Sequence, residues 1–141
     1  MLFSLSAKVS KHAHQSSARE LGLDMCEWRT IQILGRDGPS NINQVADRIS
    51  MDRGGTSRAI SRLEKRGFID RAEVPSDRRR STVYLTKQGL DLHQPIADFA
   101  NQREALLKSC LTADEAQQLD TVLRKLDQQI ENMLGKDEDL G

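Results

Sequence analysis

Arginine is concentrated in one stretch of the chain, where Arg78, Arg79 and Arg80 stand before a short alternating apolar run. Further basic residues occur at helical intervals in the segment before it: Arg58, Arg62, Lys65 and Arg66. A guanidinium group binds phosphate oxygens and the N7 and O6 atoms of guanine, so this pattern suits recognition of nucleic acid. A solvated basic helix packed on a hydrophobic core is the alternative interpretation of the helical part.

The other reactive side chains form no catalytic or metal-binding pattern. His12, His14 and His93, with two distant cysteines, do not match the ligand spacings of a zinc site. The chain has no phosphate-cradling glycine loop and no nucleophile elbow. Cys26 falls on the first turn of a predicted helix, which could lower its pKa, but a structural thiol is the simpler interpretation. We therefore expect no enzyme, no metal site and no other cofactor.

Basic and acidic residues balance over the whole chain, at 21 each, but their placement is uneven. Residues 40–90 contain eleven Lys and Arg against six Asp and Glu, a surplus of five. Residues 91–141 contain five against eleven, a deficit of six. This asymmetry predicts an anionic partner for the middle of the chain only, although exposed faces that merely differ in composition would give the same counts.

The chain has 141 residues, enough for about one domain, and no apolar run approaches the roughly 18 residues of a membrane span. Its first residues are too short for a signal-peptide core and lack the cleavage pattern. Cys26 and Cys110 are far apart and form no disulfide framework, which suits a reducing compartment. We expect a cytoplasmic protein.

Apolar spacing, capping residues and breakers predict six helices and one β-hairpin. The helices are expected at Phe3–Glu20, at Met25–Leu34, after Ser40 or Asn41, at Gly54–Arg66, from Thr86 to Ser109, and after Thr112. The hairpin strands are expected at Phe68–Val74 and Thr82–Leu85. Two capping boxes are predicted, Asp24 with Glu27 and Thr112 with Glu115. Pro95 predicts a kink or local break, and the acidic tail 135–141 is expected to be disordered.

A short helix, a turn, a basic helix and a hairpin, in that order, predict a winged helix-turn-helix within a mainly α chain. In such a domain the second helix enters the major groove and the wing reaches a neighbouring minor groove. Asp77 lies close to Arg79 and indicates an orienting ion pair. The predicted DNA contacts are Ser40, Asn41, Arg53, Gly54, Gly55, Thr56, Ser57, Arg58, Ser61, Arg62, Asp77, Arg78, Arg79 and Arg80.

A narrow apolar stripe runs along the predicted sixth helix from Leu119 to Leu134. It is too long to be covered by a small winged-helix core, so a helical partner, most simply a second copy, is expected. Packing back on its own domain is the alternative. A symmetric dimer would present two recognition helices to palindromic DNA, about 34–36 Å apart.

From about Ser6 to Leu134 the chain resembles the MarR family of bacterial transcription regulators. The wing carries the most specific similarity, in Asp77-Arg78-Arg79 followed by Leu85-Thr86 and Gly89. The segment Arg58–Ile69 is similar to the family's recognition helix, and the residues around Trp28 are similar to its second helix.

The resemblance implies an obligate homodimer, interlocked through its first, fifth and sixth helices and bound to a pseudo-palindromic operator. By the wing similarity Arg79 would enter the minor groove, held by Asp77, while we expect Arg78 and Arg80 to meet the phosphate backbone. Many members release DNA when an aromatic or phenolic acid, or another lipophilic compound, binds between the dimer helices and the winged domain. Residues that could line such a crevice are His12, His14, Ser16, Arg19 and Trp28.

Two features depart from the family pattern. Gly54 and Gly55 open the recognition helix, at a cost of about 1 kcal/mol each, which could leave that turn loose. Redox-sensing members carry their reactive cysteine in the first helix, whereas Cys26 falls in the second, and this weakens an oxidation-switch interpretation.

We therefore expect a dimerisation helix at 1–23, a winged helix-turn-helix at 24–89, dimerisation helices at 90–134 and an acidic tail at 135–141. The expected function is that of a homodimeric, sequence-specific transcriptional repressor released from double-stranded DNA by a small ligand. The alternative is a winged-helix protein-interaction module whose basic face binds an acidic partner.

Overall fold

The computed structural model describes residues 1–13, 19–72 and 81–138. Its elements are α1 (Leu2–Ala13), α2 (Met25–Asp37), β1 (Ser40–Asn41), α3 (Ile42–Ile49), α4 (Arg53–Lys65), β2 (Ile69–Ala72), β3 (Thr82–Leu85), α5 (Lys87–Lys108) and α6 (Ala113–Glu138). The chain divides into two units, Met1–Asn101 and Gln102–Gly141. The predicted fold class, mainly α with a small β wing, is confirmed.

The core of the first unit lies among α2, α3, α4 and the sheet. Each element turns an apolar stripe inward, and the fully buried side chains include Ile31, Val45, Ile60, Leu63 and Val83. Burying an aliphatic side chain stabilises the fold by about 1.5–3 kcal/mol. These residues therefore hold α4 firmly against the rest of the winged domain.

The sheet has three antiparallel strands in the order β1-β3-β2. Along β3 the side chains alternate, with Val83 and Leu85 buried and Thr82 and Tyr84 half-buried, as the period of a strand requires. The two-residue strand β1 was not predicted. Ser40 pairs there with Val83, and this partner is too distant in sequence for a local pattern to indicate it.

The capping residues are where the sequence predicts them. The Glu27 amide donates to Asp24 Oδ1 at 2.8 Å and the Asp24 amide donates to Glu27 Oε2 at 3.0 Å, which completes a capping box. Thr112 and Glu115 exchange the equivalent bonds at the start of α6. Of the two candidates for the cap of α3, Asn41 fills the position.

Three predicted helix boundaries are wrong. In α1 the described helix ends at Ala13, and Arg19 and Glu20 lie in a turn. Helix α2 continues to Asp37, because Gly38, with φ 79°, ends the helix instead of Gly35. Of the kink or local break predicted at Pro95, the break does not occur, because α5 is continuous from Lys87 to Lys108. Residues 135–138, expected to be disordered, form the last turn of α6.

The start of α5 explains the Leu-Thr-x-x-Gly part of the wing pattern. The Thr86 hydroxyl donates to the Gly67 carbonyl at 2.6 Å and accepts from the Gly89 amide at 3.1 Å. A β-carbon on Gly89 would overlap the backbone carbonyl of Phe68. These contacts fix the end of the wing to the residues that follow α4.

In the second unit, Lys108 near the end of α5 pairs with Glu104 at 2.8 Å and with Asp120 of α6 at 3.1 Å. The large apolar side chains exposed in the described part of α6 include Leu119, Val122, Leu123, Leu126, Ile130 and Met133, which are 39–57% exposed. Among the described residues, no helix has the length and apolarity needed to cross a lipid bilayer.

Candidate nucleic-acid interface

The first turn of α4 is held by its cap. The Gly55 amide donates to Asp52 Oδ1 at 2.6 Å, and the Thr56 hydroxyl donates to the Asp52 carbonyl at 2.9 Å. A β-carbon on Gly55 would lie 2.8 Å from Asp52 Oδ2. Glycine at position 55 therefore leaves room for the carboxylate of Asp52. The cap that this carboxylate makes offsets the poor helix propensity of glycine.

The two faces of α4 differ sharply. Ala59, Ile60 and Leu63 are fully buried. The opposite face is basic and exposed, and it consists of Arg53, Gly54, Arg58, Arg62 and Lys65, with Ser57 and Ser61 half-buried beside them. An exposed helix face of guanidinium, hydroxyl and glycine positions is suited to close approach to the major groove.

Two of the predicted contact residues are buried. Thr56 is 0% exposed, and its spacing from Ala59, Ile60 and Leu63 is the helical signal that could have placed it in the core. Ser40 is 3% exposed, and its hydroxyl donates to the Gly38 carbonyl and accepts from Arg48. Neither side chain is presented to a ligand, so we remove both from the predicted DNA contacts.

Other predicted residues have structural roles beside any contact with DNA. The Asn41 side chain accepts the Gln44 amide at 2.9 Å as the cap of α3. Arg62 pairs with Asp24 and, at 2.9 Å, with the buried Glu27. The hydrogen bond to Glu27 raises the pKa of Arg62 above its usual value.

The described part of the wing is tied to α4. Arg71 of β2 donates two hydrogen bonds of 2.9 Å to the carboxylate of Glu64, a bidentate pair that holds the strand beside the basic helix. Asp77, Arg78, Arg79 and Arg80 lie outside the described residues. Their contacts with DNA stay predictions.

The predicted ligand residues do not form one described site. Trp28 is 3% exposed in the core, the ring of His12 stacks on Phe99 with centroids 6.0 Å apart, and Arg19 is exposed in a turn. His14 and Ser16 lie outside the described residues.

A crevice of about 350 Å³ opens instead among α1, α2 and α3. Its lining residues are Ser6, Arg29, Gln32, Ile33, Arg48, Ile49 and Ser50. Sequence reasoning missed this set, although Arg29 is a cation on a helix whose neighbours are largely apolar. A second depression, of about 500 Å³, is lined by Asp114, Gln117, Gln118, Thr121 and Val122 of the single helix α6, and is better described as open surface than as a ligand site.

Cys26 is not an activated thiol. Burial raises the pKa of the Cys26 thiol, and the nearby charge of Asp24 acts in the same direction, so proximity to the start of α2 does not activate it. Cys110 is exposed. In the described part of the chain, no group of three or more His, Cys, Asp or Glu residues could hold a metal ion.

Comparison with known proteins shows a similarity to the MarR family. A model of the MarR family matches residues 21–80. The HTH-type transcriptional regulator YkoM of Bacillus subtilis is 31% identical over 117 residues, which are 83% of this chain and 75% of YkoM.

Solved structures agree with that match at the level of the fold. A MarR family regulator from Listeria monocytogenes in complex with a 26-mer DNA superposes with a TM-score of 0.83 at 20% identity, covering 93% of this chain and 87% of its own. NadR in complex with 4-hydroxyphenylacetate superposes with a TM-score of 0.77 at 22% identity, covering 89% and 88%.

Proposed function

The chain belongs to the MarR family of DNA-binding transcriptional regulators, and on that premise we propose that it is a homodimeric repressor released from its operator by a small ligand. The observation that carries the proposal is the exposed basic face of α4, backed by a buried core and flanked by the strands of the wing. We propose no catalytic role, and we propose that the protein acts in the cytoplasm, where bacterial DNA lies.

DNA recognition is assigned to α4 and the wing. Arg58 is exposed on α4 and makes no ion pair among the described residues, so its guanidinium can reach a guanine edge or a phosphate. Ser57 and Ser61 lie on the same side and can donate to phosphate oxygens. The DNA-bound MarR family regulator from Listeria monocytogenes supports this assignment through its fold.

Dimerisation is assigned to the apolar stripe of α6. Leu126 is 39% exposed and Ile130 is 55% exposed, and a contiguous apolar stripe of this kind on a helix is usually covered by another helix. A second copy is the simplest partner, because a two-fold axis would also pair two α4 helices with the two halves of a pseudo-palindromic operator.

The effector is assigned to the crevice among α1, α2 and α3. Arg29 donates to Ser10 Oγ at 3.0 Å and to the Ile49 carbonyl at 3.3 Å, but no described carboxylate pairs with it. Its charge can therefore hold a carboxylate while Ile33 and Ile49 contact an aromatic ring. We propose an aromatic acid, a class to which the 4-hydroxyphenylacetate bound by NadR belongs.

Release from DNA requires that the ligand bind two states of the protein with different affinity. A ligand seated between α1 and the winged domain would favour the spacing of the two α4 helices that no longer matches the operator. Ligand and DNA would then weaken each other's binding by the same factor.

The test begins with selection of genomic fragments that the purified protein binds, followed by titration of the best fragment at several salt concentrations. Phosphate contacts predict that the logarithm of the binding constant falls linearly with that of the salt concentration, by about 0.9 per contact. Loss of a base contact at Arg58→Ala should weaken operator binding by about 1–3 kcal/mol, and Arg79→Ala should weaken it as well.

The control is Arg124→Ala, which removes an exposed arginine from α6 and should leave operator affinity unchanged. Absence of duplex binding by the wild-type protein at low salt would refute the proposal. Binding to an acidic protein in place of DNA would favour the protein-interaction module.

A further inference from the structure

A buried carboxylate at the start of α2 receives two arginines from α4 and its cap. The side chain of Glu27 is only 5% exposed. Its Oε1 atom accepts from Arg62 Nε at 2.9 Å, and its Oε2 atom accepts from Arg66 Nη1 at 3.4 Å. A second nitrogen of Arg62 pairs with the carboxylate of Asp24. Glu27 and Asp24 are thus joined to the recognition helix through side chains alone.

Three hydrogen-bond donors hold the buried carboxylate of Glu27 in place. A buried charge needs partners, and Glu27 has three donors: the two guanidinium groups and the Asp24 amide, which lies 3.0 Å from Oε2. The Asp24 contact is half of the capping box that begins α2. Because the same atoms serve the cap and the arginines, the second half of α4 is held in register with the start of α2.

Arg66 adds further fixed points. Its Nη1 atom also donates to the Gly22 carbonyl at 3.2 Å, and its guanidinium lies 5.1 Å from the ring centroid of Phe68. Gly22 has a φ of 64° in the turn before α2. The end of α4 is therefore connected to the turn that precedes α2 as well as to the helix itself.

We propose that Glu27 is a positioning residue for operator recognition, because it holds Arg62 and Arg66 and so sets the orientation of α4. The ion pairs of Glu27 with these two arginines form a clamp. Arg62 belongs to this clamp and does not contact a base edge. The inference rests on the proposed DNA-binding function. It reassigns Arg62, which the sequence places among the DNA contacts. Arg58, on the same face of α4 and without an ion pair among the described residues, keeps the direct role.

A clamp and a contact have different signatures in binding. Base contacts depend on the angle at which the helix enters the groove, whereas binding to non-specific DNA depends on net positive charge near the phosphates. Loosening the clamp should therefore weaken operator binding and leave non-specific binding almost unchanged. Removing a phosphate contact would weaken both and lower the salt dependence.

The experiment compares Glu27→Gln, Arg62→Gln and the double variant by fluorescence anisotropy, on the operator and on a scrambled duplex over a range of salt. We expect Glu27→Gln to lower operator affinity about tenfold while the scrambled duplex and the salt slope change little. Because both residues belong to one clamp, the double variant should be no weaker than the weaker single variant. Arg58→Gln is the matched control, and it should lower operator affinity additively with Glu27→Gln.

Opposite results would overturn the proposal. If Arg62 reads DNA, Arg62→Gln should lower the salt slope by about one, and Glu27→Gln should leave operator affinity unchanged or raise it by freeing the guanidinium. Arg62→Lys keeps the charge but loses the two-nitrogen geometry, so it tests the clamp even if Glu27→Gln fails to fold. Measured over operators with single base changes, it should reduce the preference at several positions if Arg62 is a clamp, at one position if Arg62 reads a base, and at none if Arg62 only meets phosphate.

Failure of the inference is distinguishable from failure of the function. A wild-type protein that binds no duplex refutes the proposed function. If the wild-type protein prefers its operator and both Glu27→Gln and Arg62→Lys keep the same operator affinity and preference, only the clamp is refuted. Helix content measured by circular dichroism for each variant separates loss of orientation from loss of fold.

Discussion

At the scale of single residues, Asp37 joins the end of α2 to α3. Its carboxylate accepts from Arg36 Nε at 2.7 Å and pairs with Arg48 Nη1 at 3.3 Å. A carboxylate at a helix C-terminus is unfavourable by itself, because the helix dipole is negative there. The hydrogen bond from Arg36 holds the pKa of Asp37 below its usual value, and the charge of Arg48 adds to this.

Asp37→Asn should therefore destabilise the protein near neutral pH, by up to about 1 kcal/mol as for other exposed pairs. Since the folded-state pKa is lowered, the stabilisation is present above the unfolded-state pKa of about 3.9 and is lost as pH falls through the folded-state value. Urea unfolding of both proteins from pH 7 to pH 3 measures the difference, which should shrink below about pH 4.

Asp47→Asn is the matched control, because Asp47 is an exposed carboxylate of α3 with no ion pair among the described residues. Its effect should be small at every pH. A loss of stability in Asp37→Asn that stays constant from pH 7 to pH 3 would contradict the role of the ionised carboxylate.

At the scale of elements, α2 and α5 approach closely at one glycine. A β-carbon on Gly35 would overlap the imidazole ring of His93. In an exposed helix, replacing glycine by alanine usually stabilises by up to about 1 kcal/mol. Here the added β-carbon would overpack the contact with His93, at a cost of about 1–3 kcal/mol, so the substitution should destabilise the protein.

Gly35→Ala should thus lower the free energy of unfolding by about 1–2 kcal/mol, measured by urea denaturation. In a His93→Ala background the ring is absent, so the same substitution should be neutral or stabilising by up to about 1 kcal/mol. Equal effects of Gly35→Ala in the two backgrounds would show that the ring does not limit this packing.

The elements that sequence patterns predicted well are those determined by nearby residues. The Asp24–Glu27 and Thr112–Glu115 boxes each lie within three residues, and both helices begin as predicted. The strand β1 and the clamp on Arg62 depend on partners far along the chain, and no local spacing reveals them.

The candidate site shows the same division. The basic face of α4 follows from helical periodicity, and Thr56 could have been assigned to the core by the same rule. Glu27 decides which arginine of α4 is paired within the protein and which is available for the proposed contact with DNA. Only the tertiary structure shows that Glu27 is buried. Sequence reasoning therefore predicted the basic face of α4, but it did not reveal how Arg62 is paired within the protein.

At the scale of the whole molecule, the charge asymmetry and the apolar stripe favour separate tasks for the two parts of the chain. The surplus of basic residues lies at 40–90 and the acidic surplus at 91–141. A negative C-terminal part repels DNA and so favours approach of the duplex to the basic region. The exposed apolar residues of α6 are the surface that we propose for association with a second copy.

Leu126→Glu should disrupt that association, because Leu126 lies within the stripe and a charge buried at an interface needs a partner. We expect the dimer dissociation constant to rise about 100-fold, equivalent to about 2.7 kcal/mol, as measured by sedimentation equilibrium. Operator affinity should fall in parallel, since a monomer can engage only one half of a pseudo-palindromic site.

The matched control is Gln128→Glu, which introduces the same charge two residues further along α6 at an exposed position outside the stripe. It should leave both the dissociation constant and operator affinity unchanged, so any effect specific to Leu126→Glu reflects the stripe and not the added charge. A wild-type protein that sediments as a monomer at micromolar concentration would refute the dimer. If Leu126→Glu still sediments as a stable dimer, the interface must be formed by other residues, and the stripe would then need a different partner to cover it.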